Sequence, residues 1–246
     1  MVQPHIHLSE ELGVKYAILP GDPGRVTHIK EFLDNAEEVT FNREYRSAVG
    51  TYKGVKVLAL STGMGGVSVG IALEELKNIG VKAAIRIGSC GALQEGIKIG
   101  DLILCEGAVR EDGTSKTYVK TEYPAVADAE FLACVVEAAK EREYPYHLGI
   151  AHSHESFYHD EADEIAEYWS KKGCLGADCE TATLYTVARL RHMKAASILN
   201  NVVVWGEDTA DSIGSFSEGE DMSYVGETRE ILTALDAIVK LDERSK

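Results

Sequence analysis

The chain of 246 residues is long enough to bury one substantial core or two small ones, and its hydrophobic fraction of 45% is ordinary for a globular protein. Its formal net charge of −15 argues against a nucleic acid or an anionic membrane as partner, because binding to phosphate backbones needs a basic face. No apolar run approaches the roughly 20 residues of a membrane span. The first residues, MVQPHIHLSEE, lack the basic-then-apolar pattern of a secretion signal. These features predict a cytoplasmic protein.

The five cysteines are odd in number, and no two of them form a CxxC pair. They are Cys90, Cys105, Cys134, Cys174 and Cys179. This pattern suggests neither a disulfide framework nor a zinc site, so no metal ligands are predicted. A redox role for Cys90 or Cys179 has little support, since no basic residue stands beside either thiol in the sequence.

Strand-like apolar runs alternate with helical patterns along the chain. The predicted strands are 16–19, 55–61, 83–88, 101–105, 147–153 and 195–205. The predicted helices are about 67–79, 128–143, 180–193 and 227–241, with one more that begins at Asp22-Pro23. This alternation predicts a single domain over residues 1–246, of the α/β class, with three layers and a mixed, mainly parallel central sheet. Ligands of such folds gather at the carboxyl ends of the strands.

The stretch PGDPGR at 20–25 directly follows the first predicted strand. Asp22 is a typical N-cap and Pro23 a typical first helical residue, so the free N–H groups of a helix are expected at the end of this strand. Gly21 allows a close approach of the backbone, and Arg25 carries a planar guanidinium suited to phosphate. The stretch matches neither GxxxxGKS nor GxGxxG. A capped helix with a surface arginine is the alternative interpretation.

A second corner of the same kind occurs in IRIGSCGALQEG at 85–96. Arg86 lies inside an apolar strand, where an unpaired charge is costly, and is therefore expected to contact an anion. Ser89 offers a hydroxyl, and Gly88 and Gly91 are expected to expose backbone N–H groups. Two such corners at strand ends favour a phosphate site over two coincidental helix caps.

The motifs GDPGR, NREYRS, STGMGG, IRIGSCGAL and CETATL occur in this order, together with REDGTS and YPAVAD. With them the chain resembles the nucleoside phosphorylase family, in particular its branch of uridine phosphorylases and protozoan purine nucleoside phosphorylases. The similarity extends from residue 3 to at least residue 183. It implies phosphorolysis, in which a nucleoside and inorganic phosphate give a free base and (deoxy)ribose 1-phosphate, with no cofactor.

The resemblance implies that the two corners form the walls of the phosphate site. The phosphate-binding residues would be Gly21, Arg25, Arg43, Arg86 and Ser89. Of these, Arg43 in NREYRS would come from a neighbouring subunit, whereas the nearby Arg46 does not match the family arginine.

The resemblance also implies a homo-oligomer whose active sites are shared across a dimer interface. His5 matches the histidine that crosses this interface to the ribose 5′-hydroxyl. An obligate dimer is therefore expected, and a hexamer built as a trimer of dimers. By analogy, a monovalent cation could bind at the interface near Glu44 and Ser68.

Ribose recognition is assigned by the same resemblance to STGMGG and to the DCET stretch. Glu180 matches the carboxylate that accepts hydrogen bonds from the 2′- and 3′-hydroxyls, with Met64 and Cys179 also at the sugar. Here the chain departs from the usual Glu-Met-Glu, because Asp178 and Cys179 replace its first two residues. The smaller Cys179 leaves room beneath the sugar.

The base would be bound by an aromatic pair that follows the strand 147–153, together with residues from two other strands. These base-binding residues are Cys90, Gly91, Phe157, Tyr158 and Asn201. Arg86, Glu180 and Asn201 are the residues expected to carry catalysis.

The identity of the base is less clear from the sequence. Purine enzymes of the family place an aspartate near the end of the strand that corresponds to 195–203, and here the position is Asn201, or Val202 in another register. Asp208 and Asp211 are later alternatives whose spacing is wrong.

The glutamine and arginine that clamp uracil in bacterial uridine enzymes are replaced here by Glu161 and Asp163, while GSCG at 88–91 is typical of purine enzymes. The sequence therefore favours a 6-oxopurine nucleoside (inosine or guanosine), with uridine as the alternative. A nucleoside hydrolase and a non-catalytic nucleoside-binding protein are rival interpretations from other classes. The hydrolase is disfavoured because it would not need three arginines.

Overall fold

The computed structural model describes residues 1–206 and 221–246, which form ten strands and seven α-helices. The strands are β1 (Tyr16–Pro20), β2 (Asp34–Asn42), β3 (Tyr45–Tyr52), β4 (Val55–Leu60), β5 (Ala83–Ala92), β6 (Leu102–Arg110), β7 (Ala125–Val126), β8 (Tyr146–Ser153), β9 (Gly176–Asp178) and β10 (Lys194–Val203). The helices are α1 (Arg25–Glu31), α2 (Gly66–Asn78), α3 (Gly113–Tyr118), α4 (Ala129–Glu141), α5 (Ala162–Lys171), α6 (Thr181–Leu190) and α7 (Asp221–Arg244).

All ten strands belong to one mixed sheet, in the order β10-β6-β8-β9-β5-β1-β4-β3-β2, with β7 on β6. Strand β10 also pairs with β5, so that part of the sheet closes on itself. The pairings of β1 with β4 and β5, and of β5 with β10, are parallel. The strands β2, β3 and β4 are antiparallel to one another. The parallel centre brings the carboxyl ends of β1 and β5 to the same edge.

Apolar side chains cover both faces of the sheet. The sheet is the middle layer of three, with helices on either side. Leu73 and Leu76 of α2 and Leu184 of α6 pack in one cluster with residues of the strands. Phe131 of α4 and Leu235 of α7 pack in the other. The predicted α/β class with three layers and a mixed sheet is therefore confirmed. Within the described ranges, no helix combines the length and the apolar character that a bilayer crossing requires.

The structure differs from the predictions at several places. Helix α1 begins at Arg25 rather than at Pro23, because the Asp22 side chain accepts a hydrogen bond from Gly24 N at 2.8 Å and closes a turn before the helix. The hairpin β2–β3 was not predicted, since most of β2 is exposed and carries no apolar alternation. Strand β5 runs on to Ala92, because its glycine-rich end is paired with both β9 and β10.

Candidate functional site

The two predicted corners lie next to each other in the structure. Strands β1 and β5 are parallel neighbours, with Leu19 opposite Arg86, so the segments that follow them leave the sheet side by side. Arg25 Nη2 donates a hydrogen bond to Ser89 Oγ at 2.5 Å, which joins the first corner to the second. Gly21 meets the STGMGG loop, and a Cβ there would lie 3.2 Å from Gly63 O.

Arg86 is 5% exposed, and its charge is compensated by two carboxylates of its own chain. Its Nε lies 3.0 Å from Asp178 Oδ2, and its Nη2 lies 2.6 Å from Glu180 Oε2. The guanidinium folds back over Gly88, where a Cβ would come within 2.5 Å of Nη2. The expectation that Arg86 contacts an anion is thus met inside the chain, so its burial alone does not require a bound phosphate.

Asp178 holds Arg86 in place. It accepts hydrogen bonds from Ser153 Oγ and Thr181 Oγ1, both at 2.6 Å, and from Thr181 N at 3.0 Å. Burial on its own would raise the pKa of Asp178, but Arg86 and these hydroxyl groups bring it below its usual value. Asp178 is therefore an ionised, fully bonded support for the guanidinium.

Glu180 connects Arg86 to the STGMGG loop, because its Oε1 accepts a hydrogen bond from Gly65 N at 2.5 Å. The predicted ribose carboxylate thus touches a predicted phosphate arginine. Met64 in the same loop is 92% exposed. The Cys179 Sγ lies 3.8 Å from His154 Nδ1.

Burial, followed by the charges of Glu180 and Asp178, raises the pKa of Cys179 to about 12. Burial also raises the pKa of the Cys90 thiol. Both groups stay protonated near neutral pH, which disfavours the redox alternative.

Two acids of α7 contact Arg25, and the sequence analysis missed both. Arg25 Nε donates to Glu227 Oε2 at 3.0 Å, and Arg25 Nη1 lies 3.4 Å from Glu230 Oε1. The spacing from Glu227 to Ile231 and Leu235 is four residues each time, which places an acid on the buried stripe of the helix. That misplaced charge was the signal that could have revealed them.

One glycine N–H group of the second corner is already bonded within the chain, contrary to expectation. Gly88 N donates a hydrogen bond to Glu230 Oε2 at 3.0 Å. Gly91 lies between two strands, opposite Ala177 of β9 and Val203 of β10. Anion binding at this corner would therefore depend on side chains, since Gly88 N is already used.

Arg43 and His5 do not reach the two corners within the chain itself. Arg43 is exposed at the turn between β2 and β3, with φ of 55°. His5 Nδ1 lies 2.6 Å from Glu75 Oε1, and Asn42 Nδ2 donates to His5 O at 2.7 Å. The role of both residues in a partner's site stays a prediction.

The predicted base residues fall into an exposed and a buried set. Phe157 and Tyr158, in the loop after β8, are 42% and 82% exposed, and their rings meet edge to face at 4.9 Å. Cys90 is 4% exposed. Asn201 is fully buried and donates from Nδ2 to Lys98 O at 3.3 Å, and its predicted contact with the base stays a prediction.

Other predicted groups are placed as follows. Asp208 and Asp211 lie outside the described residues. At the predicted cation position, Ser68 Oγ donates to Gly65 O at 3.2 Å. Over residues 1–206 and 221–246, no three His, Cys, Asp or Glu side chains are grouped so as to hold a metal ion.

Two curated relatives are similar to the chain over nearly its whole length. The uridine phosphorylase of Thermococcus kodakarensis is 39% identical over 247 residues, covering 96% of this chain and 88% of that protein. The guanosine phosphorylase of Halorubrum lacusprofundi is 37% identical over 239 residues, covering 96% and 99%.

Solved structures agree with these relatives. The chain superposes on uridine phosphorylase from Vibrio fischeri ES114 with a TM-score of 0.90 and 44% identity, covering 97% of each chain. It superposes on purine nucleoside phosphorylase from Toxoplasma gondii in complex with immucillin-H with a TM-score of 0.90 and 28% identity, covering 99% and 97%.

The sequence model of the phosphorylase superfamily matches residues 15–223, which is more than half of the chain. Together with the relatives, this match confirms the predicted family and the predicted class of enzyme, a pentosyltransferase. The convergent corners, the fold and these similarities lead to one conclusion: the chain belongs to the phosphorylase superfamily.

Proposed function

We propose that the protein is a nucleoside phosphorylase that uses inorganic phosphate to cleave the N-glycosidic bond of a nucleoside. The observation that carries the proposal is the convergence of Arg25, Ser89 and Arg86 at the carboxyl ends of two neighbouring parallel strands. Guanidinium and hydroxyl donors in a buried corner match the oxygens of a phosphate dianion.

The reaction needs positioning more than activation. As the bond from C1′ to the base nitrogen breaks, its electron pair goes to the base, and the ribose ring gains positive charge. A phosphate held at C1′ stabilises this charge and then forms the new C1′–O bond. The departing base takes up a proton or a hydrogen bond.

Glu180 is the residue that would connect the sugar with the phosphate. It would accept hydrogen bonds from the 2′- and 3′-hydroxyls, and its other contact is Arg86 Nη2 at 2.6 Å. Sugar and phosphate would then be held by one ion pair, which fixes the position of the attacking phosphate oxygen relative to C1′.

The complete site would require a second subunit. Arg43 would add a third guanidinium to the phosphate, and His5 would bind the ribose 5′-hydroxyl of the partner's substrate. We propose a dimer with shared sites, assembled into a hexamer in the cytoplasm. Exposed apolar side chains at Phe41 (62%) and Val67 (63%) are available for such an interface.

For the base, we propose a 6-oxopurine nucleoside such as inosine or guanosine. Asp163, the residue in place of the uracil-clamping arginine, cannot donate a hydrogen bond to a uracil carbonyl when ionised. Uridine is the second candidate, because the uridine phosphorylase of Thermococcus kodakarensis is as similar to the chain as the guanosine phosphorylase is.

A nucleoside panel assayed with and without phosphate tests the proposal. Inosine, guanosine and uridine should release base only when phosphate is added, with formation of ribose 1-phosphate. Base release in phosphate-free buffer would indicate a hydrolase. Saturable nucleoside binding without turnover would indicate a binding protein. The ratio of kcat/KM between inosine and uridine decides the base.

A further inference from the structure

Glu230 of α7 touches both corners of the candidate phosphate site. Its side chain is 0% exposed. One carboxyl oxygen, Oε2, accepts a hydrogen bond from Gly88 N at 3.0 Å, in the second corner. The other oxygen, Oε1, lies 3.4 Å from Arg25 Nη1, in the first corner, and makes no hydrogen bond with the described atoms. One carboxyl group of α7 thus spans two segments more than sixty residues apart in the sequence.

The charges that face Glu230 come from three elements. Arg25 of α1 and Arg86 of β5 favour the ionised carboxylate, whereas Glu227, one turn earlier on α7, opposes it. His28 of α1 contacts Glu227, since its Nδ1 lies 2.5 Å from Glu227 Oε1. Burial is the largest influence and, with Glu227, raises the pKa of Glu230 to about 8. The carboxyl group is therefore mostly protonated near neutral pH.

The protonation state of this group matters for an anion at Arg25. Glu227 already offers Arg25 one carboxylate. A second ionised carboxylate at Glu230 would add a negative charge beside Arg25 and repel a phosphate dianion bound there. A protonated Glu230 keeps the contact with Gly88 N and adds no such charge.

We propose that Glu230 is a positioning residue of the phosphate site, which fixes Arg25 and the Gly88 backbone at one spacing and weakens phosphate binding when it ionises. This inference rests on the proposed phosphorolysis. Glu230 acts through Arg25 and the backbone of β5 and is not itself a catalytic residue.

Two variants separate the two parts of the proposal. Glu230→Gln keeps an oxygen acceptor for Gly88 N and cannot ionise, whereas Glu230→Leu removes both contacts at similar volume. From about pH 7 to pH 9, the wild-type KM for phosphate should rise about tenfold relative to that of Glu230→Gln. Comparing the two proteins at each pH cancels the titration of phosphate itself. Glu230→Leu should raise the KM for phosphate about tenfold at every pH, with the nucleoside KM little changed.

Asp236→Asn is the matched control on the same helix. Asp236 pairs with Arg142 Nε and Lys53 Nζ, both at 2.6 Å, away from the two corners. Its loss should reduce stability but leave the KM for phosphate and its pH profile as in the wild type. If wild type and Glu230→Gln share one pH profile, or if Glu230→Leu keeps the wild-type KM for phosphate, the proposal is wrong.

A binding measurement distinguishes this proposal from the proposed function. Inorganic phosphate alone should raise the unfolding temperature of the wild type, and less so above about pH 8, because it binds only the folded protein. In Glu230→Gln, the stabilisation by phosphate should not show this decrease above about pH 8. If wild type and Glu230→Gln differ in this way but no phosphorolysis is observed, the role of Glu230 is supported and the proposed reaction is refuted. If Glu230→Leu does not fold, Glu230→Gln still decides the outcome.

Discussion

The predicted phosphate residues and the predicted base-stacking residues differ sharply in burial. Arg25 and Arg86 are 6% and 5% exposed, and each guanidinium contacts at least two side chains. Phe157 and Tyr158 are 42% and 82% exposed, and the helix that follows them, α5, has no buried residue. We call Arg25 and Arg86 the charged end of the candidate site, and Phe157 and Tyr158 its aromatic end. The charged end is buried in the core, whereas the aromatic end lies in a surface loop.

This difference in burial predicts a difference in tolerance to substitution. Buried, fully bonded charges are costly to rearrange, because every change leaves a partner unsatisfied. An exposed loop tolerates substitution and can be altered without disturbing the sheet. Relatives named for uridine and for guanosine are similar to the chain at 39% and 37% identity. We therefore expect substitutions at the charged end to affect phosphate binding, and substitutions in the loop to affect binding of the base.

The largest effect is expected at the charged end, from Arg86→Ala. Phosphorolysis should fall by about two to three orders of magnitude, since a buried electrostatic contact to the transition state is lost. Steady-state assays with saturating inosine would measure it. Arg142→Ala is the control, because Arg142 likewise pairs with a carboxylate, Asp236 of α7, but outside the site. Near-normal activity of a folded Arg86→Ala protein would remove Arg86 from the site.

Subunit mixing tests whether the charged end is completed by a partner. Arg43→Ala and Glu180→Ala proteins should each be nearly inactive. In a mixed dimer one site has both residues intact, so random reassortment should restore about a quarter of wild-type activity, half the sites in half the dimers. The mixture is assayed after dissociation and reassembly, with each variant reassembled alone as the control. No recovery in verified mixed oligomers would exclude sharing.

A smaller effect is expected from Phe157→Ala at the aromatic end. Loss of a stacking ring should lower kcat/KM for the nucleoside by about tenfold, in line with 1–3 kcal/mol per stacked base. The KM for phosphate should not move. Tyr168→Ala, which removes another exposed ring on α5, should leave both constants unchanged. If the KM for phosphate changes in Phe157→Ala but not in Tyr168→Ala, the two ends of the site are not independent.

The smallest effect concerns stability and tests how α5 is attached. His152 Nε2 lies 2.5 Å from Glu111 Oε2, which also accepts from Trp169 Nε1 of α5 at 3.0 Å. Burial lowers the pKa of His152, against the opposing influence of Glu111. Below about pH 6.5 the unfolded chain therefore binds more protons at this position than the folded chain does. The free energy of unfolding decreases as the pH is lowered.

His152→Gln should remove part of this acid sensitivity. Urea unfolding of wild type and variant at about pH 7.5 and pH 5.5 measures the free energy of unfolding. The drop between the two pH values should be smaller in the variant, by a modest amount. His192→Gln, at an exposed histidine, should keep the wild-type drop. Equal drops in wild type and His152→Gln would show that this histidine does not couple α5 to pH.

Local patterns in the sequence predicted much of this protein. Alternating apolar runs predicted the α/β class, and the motifs from GDPGR to CETATL predicted the superfamily. The corners at 20–25 and 86–91 were placed at strand ends that do lie side by side. These features are local, because burial periodicity, turn residues and short motifs act within a few residues of the chain.

The tertiary structure alone decided which charges meet. Arg86 pairs with Asp178 across 92 residues, and Arg25 pairs with Glu227 across 202. It also placed the Asn201 side chain against the backbone oxygen of Lys98. A sequence pattern reports how often a position is buried, but not which distant side chain it faces there. Because a buried charge is stabilised only by the partner that packing brings to it, such pairs emerge when the layers assemble.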